Sequence, residues 1–109
     1  MKKEYIPLPK VMEFIGLQNG EVIAQYAAII EKLVEHGRLE YPEAEKVEKD
    51  LFAIRILTPV NARIFYVYYG VKHIIGIHAY EKKTRKIPEK ELKYARRILK
   101  IIKNGGLDI

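Results

Sequence analysis

Two hydrophobic rhythms divide this chain. Behind Pro7 and Pro9, the residues Val11, Phe14, Ile15 and Leu17 share one face at helical spacing until Asn19-Gly20 breaks the pattern. Val22, Ile23, Tyr26, Ile29, Ile30, Leu33 and Val34 then recur with the helical period, which predicts a longer helix over 21–36 capped by Gly37. These two helices should form an antiparallel hairpin. Residues 38–50 are rich in glutamate and lack a clear period, so they read as a solvated loop with a short strand near 46–48.

From Leu51 onward the pattern becomes strand-like. Segments 51–57, 62–69 and 73–80 are rich in Ile, Val, Tyr and Phe, and are separated by Thr58-Pro59-Val60-Asn61 and Gly70-Val71-Lys72, which predicts an antiparallel meander. A last helix should start after Pro88 with Glu89 and Glu91 in its first turn. It should end near 103, with Leu92, Ala95, Ile98, Leu99 and Ile102 as its apolar face.

Strand parity then sorts the side chains. The even positions Phe52, Ile54, Ile56, Ile64, Tyr66 and Tyr68 should meet the helices, which leaves the odd positions for the opposite face. A short first turn pairs Arg55 with Arg63, and a second turn of two or four residues around Gly70-Val71 pairs Arg63 with His78. That register sets Arg55, Arg63 and His78 in one row, with Tyr80 two residues further and Lys82 and Lys83 leaving the strand at the same edge.

Charge adds direction to this picture. Residues 1–50 carry seven Lys and Arg against ten Asp and Glu, while 51–109 carry thirteen against four. Such segregation indicates a polyanion-facing surface, because local potential steers a charged partner more than net charge does. The run Lys82-Lys83-Thr84-Arg85-Lys86 and the basic positions Lys93, Arg96, Arg97 and Lys100 of the last helix extend it, with nucleic acid as the leading partner. At 109 residues and 49% hydrophobic, the chain should fold as one domain over 1–109 with a single pair of layers. The lack of cysteine removes disulfides, thiolate metal sites and thiol nucleophiles. No apolar run is long enough to span a bilayer, and Met1-Lys2-Lys3 is followed by Glu4 and prolines rather than a leader, so a cytoplasmic protein with no membrane partner is expected.

Cations, an imidazole and a phenol around one spot suit RNA cleavage in which the 2′-hydroxyl attacks the adjacent phosphate. The planar Arg fork binds two phosphate oxygens, Lys supplies a point charge, His moves protons near neutrality, and Tyr stacks on a base or donates its hydroxyl. His36, His73 and His78 lack a carboxylate pattern of metal-ligand spacing, so neither a metal nor another cofactor is expected. His36 reads as a helix-dipole partner and His73 as a turn residue.

Three ordered segments carry a family resemblance. Leu51-Phe52-Ala53-Ile54-Arg55 corresponds to a Leu-x-Glu-Leu-Arg strand, Ala62-Arg63-Ile64-Phe65-Tyr66 to Tyr-Arg-x-x-Tyr, and His78-Ala79-Tyr80-Glu81-Lys82-Lys83-Thr84 to His-x-Phe-x-Lys-Lys-Thr, with Pro88 and Ala95 following. Over residues 14–103 the chain resembles the RelE/ParE toxin superfamily of toxin–antitoxin modules, most closely its HigB-like, phage-derived branch. The resemblance implies an α+β, RelE-like fold: an antiparallel sheet of three to four strands with an N-terminal helical hairpin and a C-terminal helix. Helices would cover one face, and an mRNA-cleaving site would lie on the other. The branch's N-terminal strand is mostly missing, which leaves a short pairing at Tyr5-Ile6 or an edge covered by a partner.

The resemblance further implies a type II toxin acting on mRNA at the ribosome, silenced by a cognate antitoxin in a hetero-oligomer. Its phosphate-binding arginine carries over to Arg63 and its strand-end basic residues to Lys82 and Lys83. The catalytic candidates are therefore Arg55, Arg63, His78, Tyr80, Lys82 and Lys83, with Arg85, Lys86, Lys93, Arg96 and Arg97 binding RNA. Ala53 stands where the family has glutamate, which removes a carboxylate base from that position. A non-enzymatic ParE-like gyrase inhibitor and a catalytically inactive antitoxin-binding relic are the alternatives, since one scaffold hosts several functions.

Overall fold

A computed structural model describes residues 2–106. The chain runs β1 (Glu4–Pro7), α1 (Pro9–Gly16), α2 (Gly20–His36), β2 (Ala44–Glu48), β3 (Leu51–Ile56), β4 (Ala62–Tyr69), β5 (His73–Glu81) and α3 (Glu89–Lys103). The strands form one sheet in the order β1-β5-β4-β3-β2, with β1 parallel to β5 and the other pairs antiparallel. Five strands in a mixed sheet replace the three or four antiparallel ones expected. Both additions lie at edges, where hydrophobic periodicity is weakest. β1 carries Pro7, which an edge tolerates because it lacks a donor, and β2 carries Glu45, Lys46 and Glu48, charges that protect an edge from further pairing. The short pairing at Tyr5 and Ile6 is present, opposite Ile74 and Ile75. Among the described residues no helix is long and apolar enough to cross a membrane.

Local chemistry sets the helix ends. Asn19 reads in the sequence as a break, but it is the N-cap of α2, its side-chain oxygen accepting from the Val22 N–H at 3.0 Å. Gly37 closes the same helix with φ of 78°, a left-handed conformation that glycine adopts without strain, and its N–H donates to Leu33 O. Two residues assigned to apolar helix faces are exposed: Leu17, which follows α1 as its C-cap, and Ile23 in the first turn of α2.

Helices cover both faces of the sheet, not one. Val11 and Ile15 of α1 and Val22, Ile29 and Leu33 of α2 pack on Ile54, Ile56, Ile64 and Tyr66, the even positions expected to meet helices. Ala95 and Ile102 of α3 pack on the opposite face, against Leu51, Ala53, Phe65, Val67 and Tyr80. The odd positions reveal this second layer, because Leu51, Phe65 and Val67 would otherwise present a large apolar surface to water. The candidate site therefore lies beside a helix rather than on an open sheet face.

Register decides which residues that site contains. Arg55 pairs with Arg63 as expected, but Arg63 pairs with Tyr80, and His78 lies opposite Phe65. The expected row of Arg55, Arg63 and His78 is thus corrected to Arg55, Arg63 and Tyr80. Two one-residue shifts produce the difference. The β4–β5 turn has three residues between Tyr69 and His73, and a register irregularity between Phe65 and Tyr66 leaves Ile77 as an extra residue on β5. A single shift would turn His78 and Tyr80 toward α1 and α2, whereas the second returns them to the face of Arg63 one row displaced. The bulge is what aims them.

Gly76 sits at that bulge under Tyr5. Its carbonyl accepts from Leu8 N–H at 2.8 Å, and a Cβ placed on it would run into the Tyr5 hydroxyl, which is hydrogen-bonded to that of Tyr26 at 2.7 Å. Gly76→Ala should cost about 1–3 kcal/mol by overpacking. Chemical denaturation checks this, and Tyr5→Phe in the same background should recover part of the loss.

Candidate functional site

Arg55 and Arg63 are direct cross-strand neighbours, an arrangement that is unfavourable for like charges unless something compensates. Arg55 donates through Nη1 to Pro42 O at 2.9 Å, stacks over the Tyr41 ring at 4.7 Å, and holds its Nε 3.6 Å from Glu45 Oε2. Arg63 donates through Nη1 to Asn61 Oδ1 at 2.8 Å and to Ala62 O at 3.1 Å. It is only 4% exposed. Burial, then the adjacent Arg55 charge, lowers Arg63 below the ordinary guanidinium range, with Glu45 opposing.

Lys82 completes the cluster. Its backbone N–H donates to Asn61 O at 2.7 Å and its Nζ to Arg85 O at 2.6 Å, so Asn61 ties down both Arg63 and the start of the basic loop. Burial lowers the Lys82 ammonium, and the Arg63 and Arg55 charges lower it further. Arg55, Arg63 and Lys82 thus share one carboxylate, Glu45, which pairs with Ala53 on the neighbouring strand.

Unmet hydrogen-bonding capacity falls on this same group. Among the described residues, the buried side-chain atoms without a partner are Arg55 Nε, Arg63 Nε, His78 Nδ1 and the Tyr80 hydroxyl. Three of these are donors, Arg55 Nε, Arg63 Nε and the Tyr80 hydroxyl, and because buried donors are normally satisfied, their place along one row suits a ligand rich in acceptor oxygens. Burial pushes the Tyr80 phenol up to about 12, which keeps it a donor at neutral pH.

His78 occupies the next row. Its Nε2 lies 2.8 Å from Glu91 Oε1 of α3, and its ring centre is 4.5 Å from that of Tyr94 and 6.0 Å from that of Tyr80, stacked on the latter. Burial lowers its pKa, and the Glu91 carboxylate partly offsets this.

The family model for the phage-derived protein Gp49-like (DUF891) matches residues 13–100. The chain belongs to the Gp49-like family. The match runs from α1 to the last turn of α3 and so includes every residue of the cluster; the family is associated with toxin-like proteins. No curated protein matches the sequence.

The other sequence candidates of this Gp49-like protein divide by environment. Lys83, Arg85 and Lys86 are exposed on the loop between β5 and α3, and Lys93 and Arg97 are exposed on α3, with Arg97 5.2 Å from the Tyr94 ring centre. Arg96 is held differently. It bridges to Glu48 of β2 at 2.8 and 2.9 Å and to Glu89 at 3.0 Å, so it clamps α3 to the sheet edge. Arg96→Ala should lower the melting temperature while leaving RNA affinity nearly unchanged, and the loss should shrink in high salt because the pair is exposed. His36 ends α2 as expected, while His73 begins β5 with its Nε2 3.4 Å from Glu4.

Sequence reasoning missed Glu45, Asn61, Glu91 and Tyr94. Glu45 was absorbed into an acidic loop, and Glu91 into the acidic first turn of a helix. The available signal was that Glu91 and Tyr94 are three residues apart and border the apolar face of α3, where polar groups meet the sheet.

Proposed function

We propose that this Gp49-like protein is the toxin of a toxin–antitoxin module, of the HigB-like kind, and cleaves mRNA by phosphoryl transfer to the 2′-hydroxyl. The observation that carries the reading is Arg63: among the described residues, a buried guanidinium with an unpartnered Nε, flanked by Arg55 and Lys82 and facing only one carboxylate. A phosphate supplies what this cluster lacks, namely negative charge and acceptor oxygens.

In the proposed reaction Arg55 and Arg63 hold the scissile phosphate. The 2′-oxygen gives its proton to His78, bonds to phosphorus, and expels the 5′-oxygen, leaving a 2′,3′-cyclic phosphate and a 5′-hydroxyl. Lys82 stabilises the charge that develops on phosphorus-bound oxygen, and Tyr80, protonated at neutral pH, gives its proton to the departing 5′-oxygen. Glu45 keeps the arginines from repelling each other before RNA arrives. Lys83, Arg85 and Lys86 would track the flanking phosphates. The silencing partner is an antitoxin, and the ribosome presents the message.

Brief expression of the protein beside Arg63→Ala, with the 5′ ends of cellular mRNA mapped within minutes, tests the proposal. New cuts within translated frames that vanish in the variant support it. Growth arrest with intact mRNA and broken DNA contradicts it in favour of gyrase inhibition.

A further inference from the structure

We infer that Glu91 is a positioning residue: from the first turn of α3 it fixes His78 in the Nε2–H tautomer and thereby makes Nδ1 the atom that accepts the proton. This rests on the nuclease reading for its role, but its geometry stands separately. A carboxylate only accepts, so the 2.8 Å contact between Glu91 Oε1 and His78 Nε2 requires the proton to be on Nε2. Both side chains are shielded, at 4% and 16% exposure, so water competes poorly for the contact. That leaves Nδ1 as the lone-pair nitrogen, buried and without a partner. Its neighbours offer no substitute: the Tyr80 ring stacks on the imidazole, the Phe65 ring lies at 6.0 Å and the Tyr94 ring at 4.5 Å.

The arrangement couples two parts of the fold. His78 is on β5 and Glu91 is on α3, and the basic loop of residues 82–88 joins them. An RNA strand that draws on Lys83, Arg85 and Lys86 would therefore bear on the segment that holds Glu91 against the histidine. The charged and titratable groups facing His78 are Glu91 and Tyr94 from α3, Tyr80 from β5 and, at longer range, Lys10 of α1, whose Nζ lies 4.0 Å from the Tyr94 ring centre. Among the described residues, Glu91 is the one anion in this group. Its removal should make the imidazole harder to protonate.

The test combines nitrogen NMR of the His78 ring with RNA-cleavage pH profiles for the full chain, Glu91→Gln and Glu91→Ala. The inference expects Nε2–H alone in the wild type, retained in Glu91→Gln, whose amide oxygen still accepts, and a mixture of tautomers in Glu91→Ala. It also expects the acid limb of the cleavage profile to move to lower pH in Glu91→Gln, with kcat falling at least tenfold in Glu91→Ala and KM little changed. An Nδ1–H tautomer in the wild type would overturn the inference, as would an acid limb that ignores both substitutions. If the tautomer is locked as stated but the wild type cuts no RNA, the nuclease reading fails while the Glu91 assignment holds.

Discussion

Arg63→Leu is expected to abolish RNA cleavage and leave the protein as stable as before, or more so. Loss of a preorganised donor aimed at transition-state charge costs about 10²–10³ in rate. Its stability consequence runs the other way. Arg63 is buried, its Nε is unpartnered, and its nearest charged neighbour across the strand pair is another arginine. Replacing an awkwardly buried charge with an apolar side chain is often neutral or stabilising by about 1–4 kcal/mol, whereas removing one half of a productive buried pair costs about 3–5 kcal/mol. Denaturation beside a cleavage assay separates these outcomes. A strongly destabilised variant would make Arg63 a structural partner of Asn61 and Glu45. A stable, inactive one fits a residue held in place for a ligand. Arg63→Lys should rescue poorly, because a point charge cannot replace a fork that contacts two oxygens.

The second large effect concerns binding rather than chemistry. Replacing Lys83, Arg85 and Lys86 together by alanine removes three exposed cations from the loop between β5 and α3. For single strands each neutralised phosphate contributes about 0.7 to the slope of log affinity against log salt, so the triple variant should lose about 2 from that slope. An uncleavable 2′-deoxy strand, followed by fluorescence anisotropy from low to moderate salt, gives the number. At saturating RNA the variant should cut at close to the normal rate, since these side chains lie outside the cluster around Arg63. An unchanged slope would mean that RNA follows another path. Arg96 is the internal contrast, because its charge is already taken by Glu48 and Glu89.

The sequence carried this site unevenly, and the reasons are physical. Apolar alternation along 51–57 and 62–69, with a turn of restricted length, was enough to place Arg55 beside Arg63. Side-chain period does not report an inserted residue, so the extra residue at Ile77 was invisible, and His78 was expected one row from where it lies. Its face came out right because the three-residue turn and the bulge each shift the register by one residue, and two such shifts restore the face. The edge strands β1 and β2 were faint because edges are short and charged for protection. The layer formed by α3 was legible in Leu51, Phe65 and Val67 but was overridden by the expectation of an open face. Glu45 was out of reach for a further reason: its role depends on the contact between β2 and β3, which local patterning does not encode.

Phosphate binding by the cross-strand pair of buried Arg63 and half-buried Arg55 is the core of the proposed function. It is tested most directly by nitrogen NMR of the arginine side chains while a short 2′-deoxy strand is added. The Nε–H resonances of Arg55 and Arg63 should shift and sharpen together as both donors find acceptors, with Arg96 unmoved. Shifts confined to Arg96 and Arg97, with Arg63 unchanged at saturation, would contradict the account.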